Sequence, residues 1–356
     1  GMIELTSKTK PVIRVEVDFE KLKAQYSGLG QFCMHLAKEF EPNYEVSFTF
    51  FMPAKATKFQ GVNTRKVNPF FKVMKVPSKA NVWHATHQGA KYIPRDANIK
   101  VVLTIHDLFF MDKYADRPYK LAMYLKRMQK LIDRASVITY ISEFTKKETR
   151  AQMNVPDIPE HVIYNGVSIG PGPSIAPAEK TSKPFLFTIG IIQPRKNFKV
   201  LVEMMCLLPD LHLVIAGNDK GPEAEVIREK INSLDLVNRV SVVGMISEGE
   251  KKWYYENCQG LVFPSLTEGF GLPVVEAMHM GKPVFLSNLT SLPEIGGEIA
   301  NYWESFAPDH MASLVKEGLA NHNEKKAVAL RNRAAQFSWE NAAKEYIKVY
   351  QSVRLR

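Results

Sequence analysis

Glu268 and Glu276 stand eight positions apart in the run TEGFGLPVVE, separated by a Gly-Phe-Gly turn and Pro273. Two carboxylates so placed suit either general acid and base work or a grip on the hydroxyls of a sugar nucleotide. The elements around them favour the grip. Upstream, residues 259–266 (QGLVFPSL) read as a buried strand closed by Pro264. Downstream, residues 273–280 read as a helix that stops at Gly281 and Pro283. Pro273 fits the first helical turn, where its missing N–H costs nothing, and Gly281 fits the residue just past the end. The helix start at Phe270, Gly271 and Leu272 exposes unpaired N–H groups and about half a positive charge, which suits a diphosphate.

The 356 residues exceed one ordinary core and predict two domains of about 150 residues or more. The hydrophobic share of 45% and the charged share of 24% are those of a globular protein. No window reaches the roughly 18 apolar residues of a membrane helix, and no signal-like apolar core follows the N-terminus, so a cytosolic location is expected. Cys33, Cys206 and Cys258 are odd in number and widely spaced, which argues against a disulfide framework or a zinc site. Gly1 ahead of Met2 is read as a cloning remnant and set aside.

The first half alternates strand-like and amphipathic runs, the pattern of a parallel α/β sheet. Strands are predicted at 12–17, 44–50, 81–85, 100–105, 135–141 and 161–165. Leu121, Leu125, Met128 and Ile132 form an apolar helical stripe after Pro118. Residues 169–184 (IGPGPSIAPAEKTSKP) are too rich in Pro, Gly and Ser for a packed element and read as a linker. A second series follows at 184–191, 211–217, 240–244, 260–265 and 283–287. The expected domains are therefore 2–168 and 185–339 with a cleft between them. A last helix, 340–356, is expected to join the first domain. Such sheets bind ligands at the carboxyl ends of their strands.

These motifs resemble the retaining glycosyltransferases of family 4, and the resemblance covers nearly the whole chain. It implies the GT-B fold, two Rossmann-like domains facing a cleft. The family's Glu-x7-Glu signature is matched by Glu268 and Glu276 within PSLTEGFGLPVVEAMHMGKPV. The resemblance implies that Glu268 lies near the donor sugar and Glu276 holds the ribose hydroxyls. QPRKN, residues 193–197, is similar to the family's basic diphosphate loop, with Lys196 as the matching lysine and Arg195 beside it. Many relatives carry arginine directly after the strand glycine, where this chain has Ile191 after Gly190, so Arg195 is the candidate compensating cation.

Three further segments carry the likeness. YSGLGQF, residues 26–32, is similar to the family's glycine loop, where Gly28 and Gly30 would admit a ligand close to the backbone. Cys33 stands where a dinucleotide fingerprint wants its third glycine, which disfavours a dehydrogenase. His106 in TIHDLFF resembles the family's His-Asp and would donate a hydrogen bond to the donor sugar, with Asp107 fixing the loop. Met245 and Ile246, after the strand VSVVG, resemble the segment that reads the nucleobase. HATHQ, residues 84–88, lacks a third ligand nearby and reads as an acceptor-side loop. YNGVS, residues 164–168, has Ser168 where the family commonly has aspartate, and reads as structural.

Residues 2–168 hold 26 Lys and Arg against 16 Asp and Glu (26 − 16 = +10), while residues 169–356 hold 21 of each (21 − 21 = 0). The basic first half reads either as a solvated basic face or as the side that meets an acidic partner: an acidic glycan, a lipid-linked diphosphate acceptor, or an anionic membrane touched peripherally at its inner face. Residues 55–79 and 113–134 are the candidate patches. No nucleic-acid motif is present. The resemblance implies hexosyl transfer, mannosyl or glucosyl, from a nucleoside-diphosphate sugar to a hydroxyl with retention. No cofactor is expected, and without an Asp-x-Asp motif no metal either: the helix end and Lys196 would serve instead. A sugar-nucleotide epimerase of the same fold and a catalytically silent sugar-nucleotide binder are the rival readings.

Overall fold

The computed structural model describes residues 12–24, 27–41, 45–56, 58–181 and 183–354. The readings placed on Gly1, Tyr26 and Tyr44 lie outside these residues. The chain divides into two compact units. One comprises the described residues up to Ile141, Thr145–Asn165 and the chain from Trp339 onward; the other comprises Ser142–Phe144 and Gly166–Ser338.

The first unit is built on a parallel sheet of β1 (Ile13–Asp18), β2 (Val46–Met52), β3 (Asn63–Lys66), β4 (Val82–Ala85), β5 (Lys100–Ile105), β6 (Val137–Tyr140) and β7 (Glu160–Val162), in the order β3-β2-β1-β4-β5-β6-β7. Strands covered on both faces read as continuous apolar runs, as KVVLTI of β5 does. On one face, Val15, Val17, Phe48 and Phe50 pack against the helices Gly28–Phe40 and Trp339–Arg354. On the other, Trp83, Leu103 and Tyr140 pack with Met128, Leu131 and Ile132 of the helix Pro118–Arg134, while Leu121 and Leu125 are only half-buried.

The second unit holds β8 (Phe185–Ile189), β9 (His212–Ala216), β10 (Val240–Gly244), β11 (Gly260–Phe263), β12 (Val284–Ser287) and β13 (Asn301–Trp303), again parallel, in the order β10-β9-β8-β11-β12-β13. The helices Phe198–Met205, Pro222–Ser233 and Pro308–Ala320 cover one face. The strand order reverses between β8 and β11, and it reverses between β1 and β4 in the first sheet. Ligand sites of open α/β sheets lie outside the carboxyl ends of the strands at such points.

The structure corrects the sequence reading at the sheet edges. β3 (NTRK) and β13 (NYW) escape notice because each is short and lies at an edge, where one side needs no apolar run. The strand expected at 161–165 is β7, three residues ending at Val162. The helix expected from 273 starts at Leu272 and ends at His279.

Candidate functional site

At the switch point of the second sheet, the loop leaving β8 and the loop leaving β11 are laced together. The first makes a tight turn, Pro194–Lys196, closed by Asn197 in the left-handed conformation with φ 59°. The Asn197 amide donates to the Pro264 carbonyl at 3.3 Å, and the Leu266 N–H donates to the Arg195 carbonyl at 2.8 Å. This lacing carries Lys196 Nζ to 2.5 Å from Glu268 Oε1. Ser265 Oγ donates to the same oxygen at 2.7 Å, and Arg195 Nη1 stands 3.7 Å from it. The Glu268 backbone is pinned as well: its N–H donates to Thr290 Oγ1 at 3.0 Å and its carbonyl accepts from Ser291 Oγ at 2.7 Å.

Glu268 and Lys196 are each only 8% exposed. Burial pushes the Lys196 ammonium below the usual lysine value; the Glu268 carboxylate opposes that shift and Arg195 adds to it. The ammonium also lies 5.2 Å from the Phe263 ring centre. A buried cation of lowered pKa beside a carboxylate, at a strand-order reversal, is the environment expected of a working site rather than of a surface ion pair.

Glu276 is held one element further on, by the helix Leu272–His279, and is 7% exposed. Tyr255 donates its hydroxyl to Oε1 at 3.2 Å, and Lys251 Nζ stands 2.8 Å from Oε2 and 3.0 Å from Glu248 Oε2. Burial raises the Glu276 pKa against the pull of Lys251 and Tyr255. Burial also works against the Lys251 cation, but Glu276 and Glu248 leave its pKa raised. Gly271 opens the helix at φ +108°, a conformation that L side chains rarely adopt, and a Cβ there would come 3.0 Å from Leu292 Cδ2. Leu272 is exposed at the helix start, whereas Phe270 is buried edge-on against Phe337, with ring centres 5.7 Å apart. Phe270 is thus a wedge that fixes the turn.

β8 and β9 are each followed directly by a glycine and β10 ends in one, and these ends are hydrogen-bonded side by side: Gly190 N–H to the Ala216 carbonyl at 3.0 Å, Gly217 N–H to the Gly244 carbonyl at 2.8 Å. Gly217 has φ +129°, and a Cβ on it would fall 1.8 Å from the Gly190 carbonyl oxygen. The result is a floor of bare backbone beside Lys196. Sequence reasoning passed over this floor, although TIG, IAG and VVG announce it. It also passed over Ser265, Thr290 and Ser291 around Glu268, which carry no motif. Lys251 and Tyr255, one helical turn apart, were a readable signal for Glu276's partners.

The other candidates lie on other elements. Met245, 78% exposed, and Ile246 follow edge strand β10 and line a cavity of about 520 Å³ with Trp253 and Tyr254, whose lining includes neither Glu268 nor Lys196. In the first unit, Gly28 and Gly30 form the first turn of the helix Gly28–Phe40 rather than a free loop; Ser27 Oγ caps it by accepting the Gly30 N–H at 3.0 Å. A Cβ on Gly28 would meet nothing within 4 Å. His106 is buried, and both donors expected to reach a sugar are engaged within its own domain. Its Nε2 is 2.7 Å from the Thr86 carbonyl, and its backbone N–H donates to Gln88 Oε1 at 3.0 Å. His84 is likewise built into the core, with Nδ1 2.6 Å from the Tyr350 hydroxyl and Nε2 2.7 Å from Thr104 Oγ1. Among the described residues no cluster of three or more metal-ligating side chains is present.

Two family descriptions match successive stretches of the chain: "Glycosyltransferase Family 4" over residues 26–170 and "Glycosyl transferases group 1" over residues 175–337. The chain belongs to this family of GT-B glycosyltransferases and is a glycosyltransferase. O-antigen chain mannosyltransferase B of Escherichia coli is 25% identical over 277 residues, 73% of this chain and 72% of that protein. Serotype-specific mannosyltransferase WbdA of Escherichia coli is 30% identical over 274 residues, 68% of this chain but only 32% of that longer protein. Among solved structures, sucrose-phosphate synthase of Thermosynechococcus elongatus superposes with a TM-score of 0.75 at 18% identity, covering 96% of this chain and 99% of the other. Anabaena HepE in complex with UDP and glucose gives 0.70 at 14% identity, covering 96% and 100%. At such identities the likeness speaks for the fold alone.

Proposed function

We propose that the protein transfers a mannosyl group from a nucleoside-diphosphate mannose, GDP-mannose first, to a hydroxyl of a glycan or lipid-linked acceptor, with retention at the anomeric carbon. The observation that carries this reading is the buried Lys196–Glu268 contact at the switch point. The names of the relatives support the sugar: two are mannosyltransferases, and a third, 27% identical over 191 residues, is the GDP-mannose:cellobiosyl-diphosphopolyprenol alpha-mannosyltransferase of Komagataeibacter xylinus.

In this reading the bond between the anomeric carbon and the β-phosphate oxygen breaks with its electron pair on the diphosphate. The acceptor oxygen bonds to the same face of that carbon, and its proton passes to the departing phosphate. Lys196, Arg195 and the Gly271 helix end neutralise the diphosphate, so no metal is required. The contacts to Glu268 described above converge on Oε1, which leaves Oε2 to orient the sugar. Glu276 grips the ribose through lone pairs not used by Tyr255 and Lys251. The glycine floor seats the nucleotide.

Incubation of the protein with GDP-mannose and with UDP-glucose, each with a panel of glycan and lipid-linked acceptors, tests the proposal by NMR. An α-linked mannosyl product supports it; inversion at a carbon of the donor sugar without any acceptor would make the protein an epimerase instead.

A further inference from the structure

A second feature lies wholly in the first unit and is independent of the transfer reading. Three stretches separated in sequence converge on one groove of about 370 Å³. The short helix Phe71–Met74 and its C-cap supply Lys72 and Lys75, the Lys91 loop lies alongside, and the helix Pro118–Arg134 supplies Arg127 and Lys130. Five cations line it, and no carboxylate does among the described residues. They are close enough to oppose one another: burial, with Lys72 and Arg127 nearby, lowers the Lys91 pKa. A folded protein tolerates such crowding where an anion of the partner relieves it.

Beside the cations the surface is apolar where water would favour polar groups. Phe70 is 74% exposed, Val73 88% and Met74 62%, all on the same short segment as Lys72 and Lys75. On the long helix Tyr119, 93% exposed, and Met123 precede Arg127 and Lys130 at spacings of four, four and three, so the four share one stripe. Cations interleaved with exposed apolar side chains are the composition of a surface that lies in a lipid headgroup layer: the charges meet phosphates and the apolar tips enter the acyl boundary.

We infer that the groove between Lys72 and Lys130 docks the protein onto an anionic phospholipid bilayer, with Phe70, Val73 and Met74 as the inserting edge. Nucleic acid offers phosphates but no apolar layer for these side chains, so the bilayer is the occupant that satisfies both halves of the surface.

Co-sedimentation with vesicles tests this, using phosphatidylcholine alone and an equal mixture of phosphatidylcholine and phosphatidylglycerol. Binding is expected only with the anionic vesicles and falls steeply with added salt. Lys72→Ala and Lys130→Ala should each lower the partition about fivefold, Lys72→Arg should leave it intact, and Val73→Ser should lower it at constant charge. All these side chains are at the surface, so thermal midpoints and nucleoside-diphosphate affinity should stay at wild-type values. Equal binding to neutral vesicles, insensitivity to the alanine variants, or preferential retention by double-stranded DNA would overturn the inference.

Discussion

Lys196 Nζ and Glu268 Oε1 stand 2.5 Å apart, though 72 residues separate them in sequence and each side chain is almost wholly buried. The contact joins the loops that leave the neighbouring strands β8 and β11, so it marks where the strand order of the second sheet reverses. A desolvated ion pair is a poor device for stability, since hydrophobic packing serves as well, and its worth here lies in preorganised charge.

Removing one partner exposes that cost. Lys196→Ala leaves Glu268 buried without its cation and should lower unfolding stability by about 3–5 kcal/mol in denaturant titration. The double variant Lys196→Met/Glu268→Leu should recover much of that loss while remaining inactive. Full transfer by either single variant would remove both residues from the mechanism. Glu268→Gln, which keeps size and hydrogen bonding, should cost roughly a hundredfold or more in kcat with nucleotide affinity little changed.

The lowered Lys196 pKa sets an alkaline limit. The cation is needed against the diphosphate, so affinity for a nucleoside diphosphate should fall as pH rises through a value below the ordinary lysine range. Calorimetric titration from neutral to alkaline pH would show it. Lys196→Arg, whose guanidinium stays charged, should move the limb upward.

Glu276→Ala should weaken nucleoside-diphosphate binding rather than the chemical step. Lys251→Met should act in the same direction, because it leaves a buried carboxylate that takes up a proton more readily. Thermal shift with GDP, UDP and ADP reads both variants through the stabilisation a bound ligand confers.

In the first unit Asp18 closes β1, and burial pushes its carboxyl up from 3.8 to about 7, against the Glu20 N–H that its Oδ1 accepts. A raised pKa favours the protonated fold, so this contribution is complete below the unfolded value near 3.8 and is lost as pH rises through about 7. The shift is equivalent to roughly 4 kcal/mol. Asp18→Asn keeps the acceptor for Glu20 and carries no charge; its stability should be flatter between pH 4 and 8 and higher than wild type at pH 8.

Gly217→Ala would place a Cβ 1.8 Å from the Gly190 carbonyl oxygen at a φ that alanine avoids. A loss of 3 kcal/mol or more is expected, of the order seen for severe overpacking and backbone strain combined. An unchanged thermal midpoint would show that the glycine floor can open.

The two-domain parallel architecture was legible because buried strands such as KVVLTI and GLVF spell themselves out in apolar residues, and because Pro, Gly and Ser mark the junction near residue 170. The Glu268 and Lys196 segments were legible as motifs, but their meeting was not: nothing in sequence fixes which strands become neighbours. His106 shows what the folded chain adds. A histidine at a strand's carboxyl end looks available, yet whether its donors are spent depends on Thr86 and Gln88, which only the folded chain brings to it. β3 and β13 were missed because edge strands need no hydrophobic signature.

The helix Trp339–Arg354 puts Trp339, Tyr346 and Tyr350 into the core built on β1, β2 and the helix Gly28–Phe40. During synthesis the amino-terminal domain therefore waits with an open flank while the whole second domain emerges and folds. Of the two units it is the earlier made and the later completed. A ribosome stalled before residue 339 would display a folded second unit attached to a first unit that still lacks its last helix, and a gene cut at the junction near residue 170 would leave both halves incomplete: one with an open apolar flank, the other trailing a helix with nothing to pack on.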